Sequence, residues 1–156
     1  MSRRAAEVVA ALRERGLTIA TAESLTGGAV AAELVSVPGA SNVYVGGIVA
    51  YATRLKAELL GVDPDLLRRE GAIHPLVAEQ MASGVRARLG ADVGVATTGA
   101  AGPDPQDGNP PGTVWIAVAN AGGARSLRLD LGGDRAAIRR ETVESVLEEV
   151  LGVLRE

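Results

Sequence analysis

Between residues 4 and 15 the apolar side chains Ala5, Val8, Val9 and Leu12 recur at helical spacing, with arginine and glutamate on the opposite face. That period predicts an amphipathic helix, and Gly16 stands where a helix stop belongs. The pattern then changes. "LTIATAE" (17–23) is a short apolar run rich in β-branched residues and reads as a buried strand. "SLTGG" punctuates it, and 28–36 reads as a helix of small residues ending before Pro38. "VGGIVAY" (45–51) predicts a second strand, 54–60 a short helix, and "DPDLLRREG" a further one that opens on an N-cap aspartate and a proline. Val77, Ala78, Met81, Ala82, Val85 and Leu89 mark one face of a helix over 75–89.

The remaining third alternates differently. "DVGVATTG" (92–99) is the third strand. "AAGPDPQDGNPPG" (100–112) is a loop long enough, in so small a chain, to suggest a functional one. "TVWIAVA" (113–119) and "RSLRLDL" (125–131), joined through Asn120-Ala121-Gly122-Gly123, predict an antiparallel hairpin. Ile138, Val143, Val146, Leu147, Val150 and Leu151 predict a last helix over about 135–154. Helices alternating with strands predict a single three-layer α/β/α domain over 1–156. Its sheet should be mixed, mainly parallel, with the hairpin as the antiparallel part.

Composition narrows what such a domain does. A hydrophobic fraction of 47% and a charged fraction of 22% describe an ordinary globular chain. The net charge of −3 argues against a general nucleic-acid surface, and the densest arginine cluster, Arg135, Arg139 and Arg140, is too small to track a polyanion. Cysteine is absent, which removes disulfides, thiolate catalysis and Cys-based metal sites. No stretch approaches the length of a membrane span, and the N-terminal pattern is not a signal peptide, so a cytoplasmic protein is expected. His74 is the only histidine and no spaced ligand set accompanies it, so no metal and no cofactor are expected.

Three punctuated stretches follow predicted strands: "AESLTGG" (22–28), "AYATRLK" (50–56) and "TTGAAGPDPQDG" (97–108). In open α/β sheets ligands sit beyond the carboxyl ends of the strands. Neither a dinucleotide fingerprint nor a P-loop occurs. The second stretch holds Lys56, the only lysine among 16 basic residues. Lysine loses its proton when desolvated, and arginine effectively does not. A neutral amine deprotonates a serine in Ser-Lys hydrolases, which is one reason to keep lysine here. Compositional drift that spared one lysine on a short helix is the other.

"AESLTGG", "GGIVAYATRLKAELLGV", "GAIHPLVAEQMASGVR", "TTGAAGPD", "PPGTVWIAVA" and "GGDRAAIRRET" follow one another in an order and spacing that resembles the CinA C-terminal domain family. The likeness covers roughly residues 5–154. It implies a single domain without the amino-terminal nucleotide-processing domain of longer members, a homodimer, and the metal-free hydrolysis of nicotinamide mononucleotide to nicotinate mononucleotide and ammonia. It also implies a serine nucleophile with a lysine base. The family's serine lies fifteen residues before the lysine, which falls on Ser41 in "PGASNVY". Tyr51 matches a family tyrosine and joins Ser41 and Lys56 as an expected catalytic residue, Ser24, Thr26, Gly27 and Gly28 match the first loop, and Thr98 and Gly99 match another. Arg135 and Arg139 match the arginines of a "GDR" segment. Backbone N–H groups near Gly27-Gly28 or Thr98-Gly99 are then the expected oxyanion donors, and Arg135, Arg139 or the 24–28 turn the expected phosphate ligands. Leu25, Thr53 and the pair His74-Pro75 depart from the family's usual residues. Leu25 and Thr53 keep open a non-catalytic nucleotide-binding or competence/damage-associated interaction module, and a Ser-Lys amidase for another small amide is a third reading.

Overall fold

The structure, a computed structural model, describes all residues from Met1 to Glu156. Its elements run α1 (Arg3–Arg15), β1 (Ile19–Glu23), α2 (Ala29–Val35), a 3-10 turn (Ala40–Asn42), β2 (Tyr44–Val49), α3 (Thr53–Leu60), α4 (Pro64–Glu70), α5 (Pro75–Leu89), β3 (Val93–Gly99), β4 (Thr113–Asn120), β5 (Gly123–Asp130) and α6 (Arg135–Leu154). The five strands form one sheet in the order β2-β1-β3-β4-β5. β1 pairs in parallel with β2 and with β3, and β3-β4 and β4-β5 are antiparallel. The sheet is mixed as expected, and its parallel part is confined to the three strands that helices connect.

Alternation along the strands divides the interior unequally. Ile19, Val93, Val95, Val114, Ile116 and Val118 face α1, α2 and α6 in the larger core. Ala20, Ala22, Ala96, Ala117 and Ala119 face α3, α4 and α5. Big side chains thus fill one side, while an alanine face lets α5 lie close on the other. Gly84 continues that close packing: a Cβ there would run into the backbone carbonyl of Leu60. The end of α3 therefore sits hard against α5, which fixes the helix that carries Lys56.

The caps match local chemistry. Ser2 accepts from Ala5 N–H, Asp63 from Asp65 N–H and Asp134 from Ala137 N–H at the starts of α1, α4 and α6. His74 is the N-cap of α5, its Nδ1 accepting from Leu76 N–H, with Pro75 at the first helical position. A cap worth about 1 kcal/mol gives the lone histidine a structural role. α2 differs, because its N-cap is Gly28 and supplies no side chain.

Candidate active site

Parallel strands β1 and β3 end side by side, and the segments that leave β1, β2 and β3 converge there. Ser24 follows the last residue of β1, and its N–H donates to the carbonyl of Thr97 on β3 at 3.0 Å. Thr97 Oγ1 shares a 2.8 Å hydrogen bond with Thr26 Oγ1, which ties the turn after β1 to β3. Gly27 and Gly28 follow at φ 56° and 103°, values that favour glycine, and so the chain reverses into α2 within a few residues. Glu23 completes the turn. It is buried, and its two carboxylate oxygens accept from Val30 N–H at 2.8 Å and Ala31 N–H at 3.0 Å. A carboxylate from the preceding strand thus caps α2 in place of the missing side chain of Gly28.

Lys56 enters from the other face on α3 and is only 1% exposed. Its Nζ lies 2.9 Å from Ser24 Oγ, 2.7 Å from the carbonyl of Ala50 and 3.4 Å from that of Tyr51. Burial pulls its pKa down from 10.5 to about 8, and the Asp107 carboxylate acts the other way. The three neighbours define the chemistry of the neutral amine. Two carbonyls only accept and so engage its two N–H bonds. The lone pair is left for the one partner able to donate, the Ser24 hydroxyl. Ser24 itself is 8% exposed.

Ser41 lies elsewhere. It is exposed in the 3-10 turn that precedes β2, whereas Lys56 follows β2. Six strand residues at about 3.3 Å each carry the chain roughly 20 Å across the sheet between them. The fifteen-residue spacing therefore spans a whole strand and does not form a pair, and the serine within reach of Lys56 is Ser24. Arg54 points away and pairs with Glu58 at 2.9 Å on the surface of α3.

The remaining site residues surround the Ser24–Lys56 pair. Arg135, at the start of α6, donates to Tyr51 Oη at 3.0 Å and to the carbonyl of Gly102 at 2.8 Å, linking the β2–α3 segment to the 100–112 loop. Arg139 donates to the carbonyls of Leu25 and Thr26 at 2.9 and 3.0 Å and braces the turn that holds Ser24. Thr98 Oγ1 donates to the carbonyl of Ala72 at 2.8 Å, and Ala72 N–H donates to Asp107 Oδ2 at 2.9 Å. The expected oxyanion donors change in detail. Gly27 N–H is spent on the carbonyl of Ser24, and Glu23 occupies the N–H groups of Val30 and Ala31. The N–H groups of Leu25, Thr26 and Gly28 have no acceptor in the chain. Gly99 adds a fourth, because Ala100 exchanges hydrogen bonds with Thr113 and Gly112 on the β4 side and strand alternation turns Gly99 toward the open end of β1.

Glu23, Thr97, Asp107 and the carbonyl of Ala50 escape a reading by sequence. The first is a buried carboxylate directly before a matched serine, and "AES" carried that signal. The carbonyl carries none, since every residue has one.

A three-layer α/β domain with a buried serine–lysine pair at the carboxyl ends of its parallel strands is the class this architecture defines. The chain belongs to the CinA C-terminal domain family, whose model matches residues 1–154. It is 50% identical over 147 residues to a CinA-like protein of Frankia casuarinae, covering 94% of this chain and 34% of that protein. It therefore spans about a third of the length of the curated relatives it matches. Among solved structures it resembles the competence/damage inducible protein CihA of Agrobacterium tumefaciens, at TM-score 0.93 and 35% identity over 98% of this chain and 94% of that one. A competence damage-inducible protein of Klebsiella pneumoniae superposes at TM-score 0.95 with 34% identity, covering 98% and 96%. No helix is long and apolar enough to cross a membrane.

Proposed function

We propose that this domain is an amidohydrolase in which Ser24 is the nucleophile and Lys56 the general base. The 2.9 Å contact between Lys56 Nζ and Ser24 Oγ, with both remaining amine partners acceptors, carries the reading. Neutral Lys56 takes the Ser24 proton as Oγ adds to a carboxamide carbon. The tetrahedral oxyanion is received by the unpartnered N–H groups of the 25–28 turn and by Gly99. Lys56 then returns its proton to the departing nitrogen, and ammonia leaves. Water, deprotonated by the same amine, hydrolyses the acyl-serine to the carboxylate and frees Ser24. Every proton moved is held by Ser24, Lys56, water or product, so the cycle balances without a cofactor.

Nicotinamide mononucleotide is the substrate that the family resemblance implies. A planar ring carrying the carboxamide suits the mouth beside Tyr51, and the phosphate suits the guanidinium groups of Arg135 and Arg139. Those groups are the better anion partners because Glu23 already fills the start of α2. Purified protein is incubated with nicotinamide mononucleotide, its riboside, nicotinamide and unrelated carboxamides, and ammonia is measured. Release from the mononucleotide ahead of the others is expected. Release only from another amide replaces the substrate, and release from none leaves a binding module.

A further inference from the structure

The 100–112 loop is the one segment beside the site to which the proposed chemistry gives no work. Its two ends are fixed. Arg135 donates to the carbonyl of Gly102, Ala100 N–H to that of Thr113, Gly112 N–H to that of Ala100, and Leu131 N–H to that of Gly112. The tip between them is lightly held. Gln106 and Asn109 exchange backbone hydrogen bonds across a tight turn, and Asn109 Nδ2 turns back to the carbonyls of Gln106 and Asp107. A single hydrogen bond ties residues 103–109 to the rest of the chain: Ala72 N–H donates to Asp107 Oδ2 at 2.9 Å.

That bond is built from both sides. Asp107 stands at φ 49°, a conformation aspartate tolerates in turns, where its side chain ordinarily bonds its own backbone two residues on. Here the carboxylate reaches across the chain instead. It lies against Gly71, at φ 75° and ψ −172°, where a Cβ would stand 2.9 Å from Asp107 Cγ and Oδ2. Only glycine suits that backbone and leaves room for the carboxylate. Ala72 then passes the contact to the site. Its carbonyl accepts from Thr98 Oγ1 at 2.8 Å, directly before Gly99 with its oxyanion-donor N–H. Asp107 is also the charge felt at Lys56, so the tip lies toward the site and not away from it.

We propose that Asp107 is a positioning residue: bonded to Ala72, it latches the 103–109 tip closed at the mouth of the Ser24–Lys56 site, and substrate enters when this one bond lets go. A loop with fixed ends and one tether has two arrangements, on the latch and off it. Opening is cheap, because water replaces the bond to an exposed carboxylate. Closing on a bound amide keeps water from the developing oxyanion. That the tip covers an active site rests on the amidase reading, whereas the latch itself does not.

Two substitutions separate the bond from the charge. Asp107→Asn and Asp107→Gly both remove the carboxylate and both accept a positive φ, yet only asparagine keeps an oxygen for Ala72 N–H. Hydrogen exchange at the Ala72 amide and across 103–109 is followed in the wild type and both variants. Exchange in Asp107→Gly should be at least about fivefold faster than in Asp107→Asn, which should stay near the wild type. In ammonia release from nicotinamide mononucleotide the two variants should share one pH limb, since both have lost the charge. KM should be at least about fivefold higher in Asp107→Gly than in Asp107→Asn, with kcat within about twofold. A merely structural aspartate would not split KM from kcat in this way. Equal exchange in the two variants, or equal KM in active ones, overturns the proposal. Exchange is read without substrate, so a protein that releases no ammonia yet shows the exchange difference keeps the latch and removes only the amidase.

Discussion

At the scale of a single residue, the odd lysine is explained by its burial. An arginine in that position would remain charged among two carbonyls and a hydroxyl, whereas Lys56 is already pulled down to about 8. Activity should therefore rise with pH on a limb centred near 8, as the ammonium gives up its proton. Removing the nearby anion favours the neutral amine, so Asp107→Asn should move that limb to lower pH. An initial-rate pH profile of both proteins checks the sign, and a shift upward contradicts it. The same residue burdens the fold. Below about pH 8 the native state holds a buried ammonium that the unfolded chain solvates freely, and this cost fades as pH rises toward 10.5. The stability of Lys56→Met relative to wild type should accordingly fall by roughly 3 kcal/mol across that window. Urea titrations at pH 7 and pH 10 measure it, and a difference independent of pH refutes it.

At the scale of the element, α2 has an unusual start. Its cap is a carboxylate from the strand before it, so Glu23 holds together β1, the 24–28 turn and the helix. In Glu23→Gln one oxygen becomes an NH₂ facing a backbone N–H. The variant should lose roughly 1–3 kcal/mol, the usual cost of an unsatisfied buried donor. Because Ser24 is the next residue, turnover should also fall more than substrate affinity does. Thermal melts and steady-state kinetics on one preparation check both. Strand and helix periods were legible in the sequence, from the amphipathic α1 to the apolar face of α6, because burial imposes them locally. The 3-10 turn Ala40–Asn42 was not, since three residues carry no period. Neither was Glu23, whose partners lie seven and eight residues away across a reversal.

At the scale of the molecule, the topology decides which motifs meet. The three stretches that follow strands do converge at one end of the sheet, and that much follows from α/β connectivity. Which serine reaches Lys56 does not. A separation of fifteen residues looks close along the chain, yet β2 spends it crossing the sheet, while Ser24, thirty-two residues away, arrives on the neighbouring strand. Sequence distance misleads wherever a strand lies between two residues. The proposed chemistry rests on Ser24, not Ser41, as the partner of Lys56. Its most direct test is ammonia release from nicotinamide mononucleotide by the wild type, Ser24→Ala and Ser41→Ala, compared by kcat. Ser24→Ala should lose at least about a thousandfold, as nucleophile deletions do, with Ser41→Ala close to wild type. An active Ser24→Ala protein beside an inactive Ser41→Ala one would contradict it.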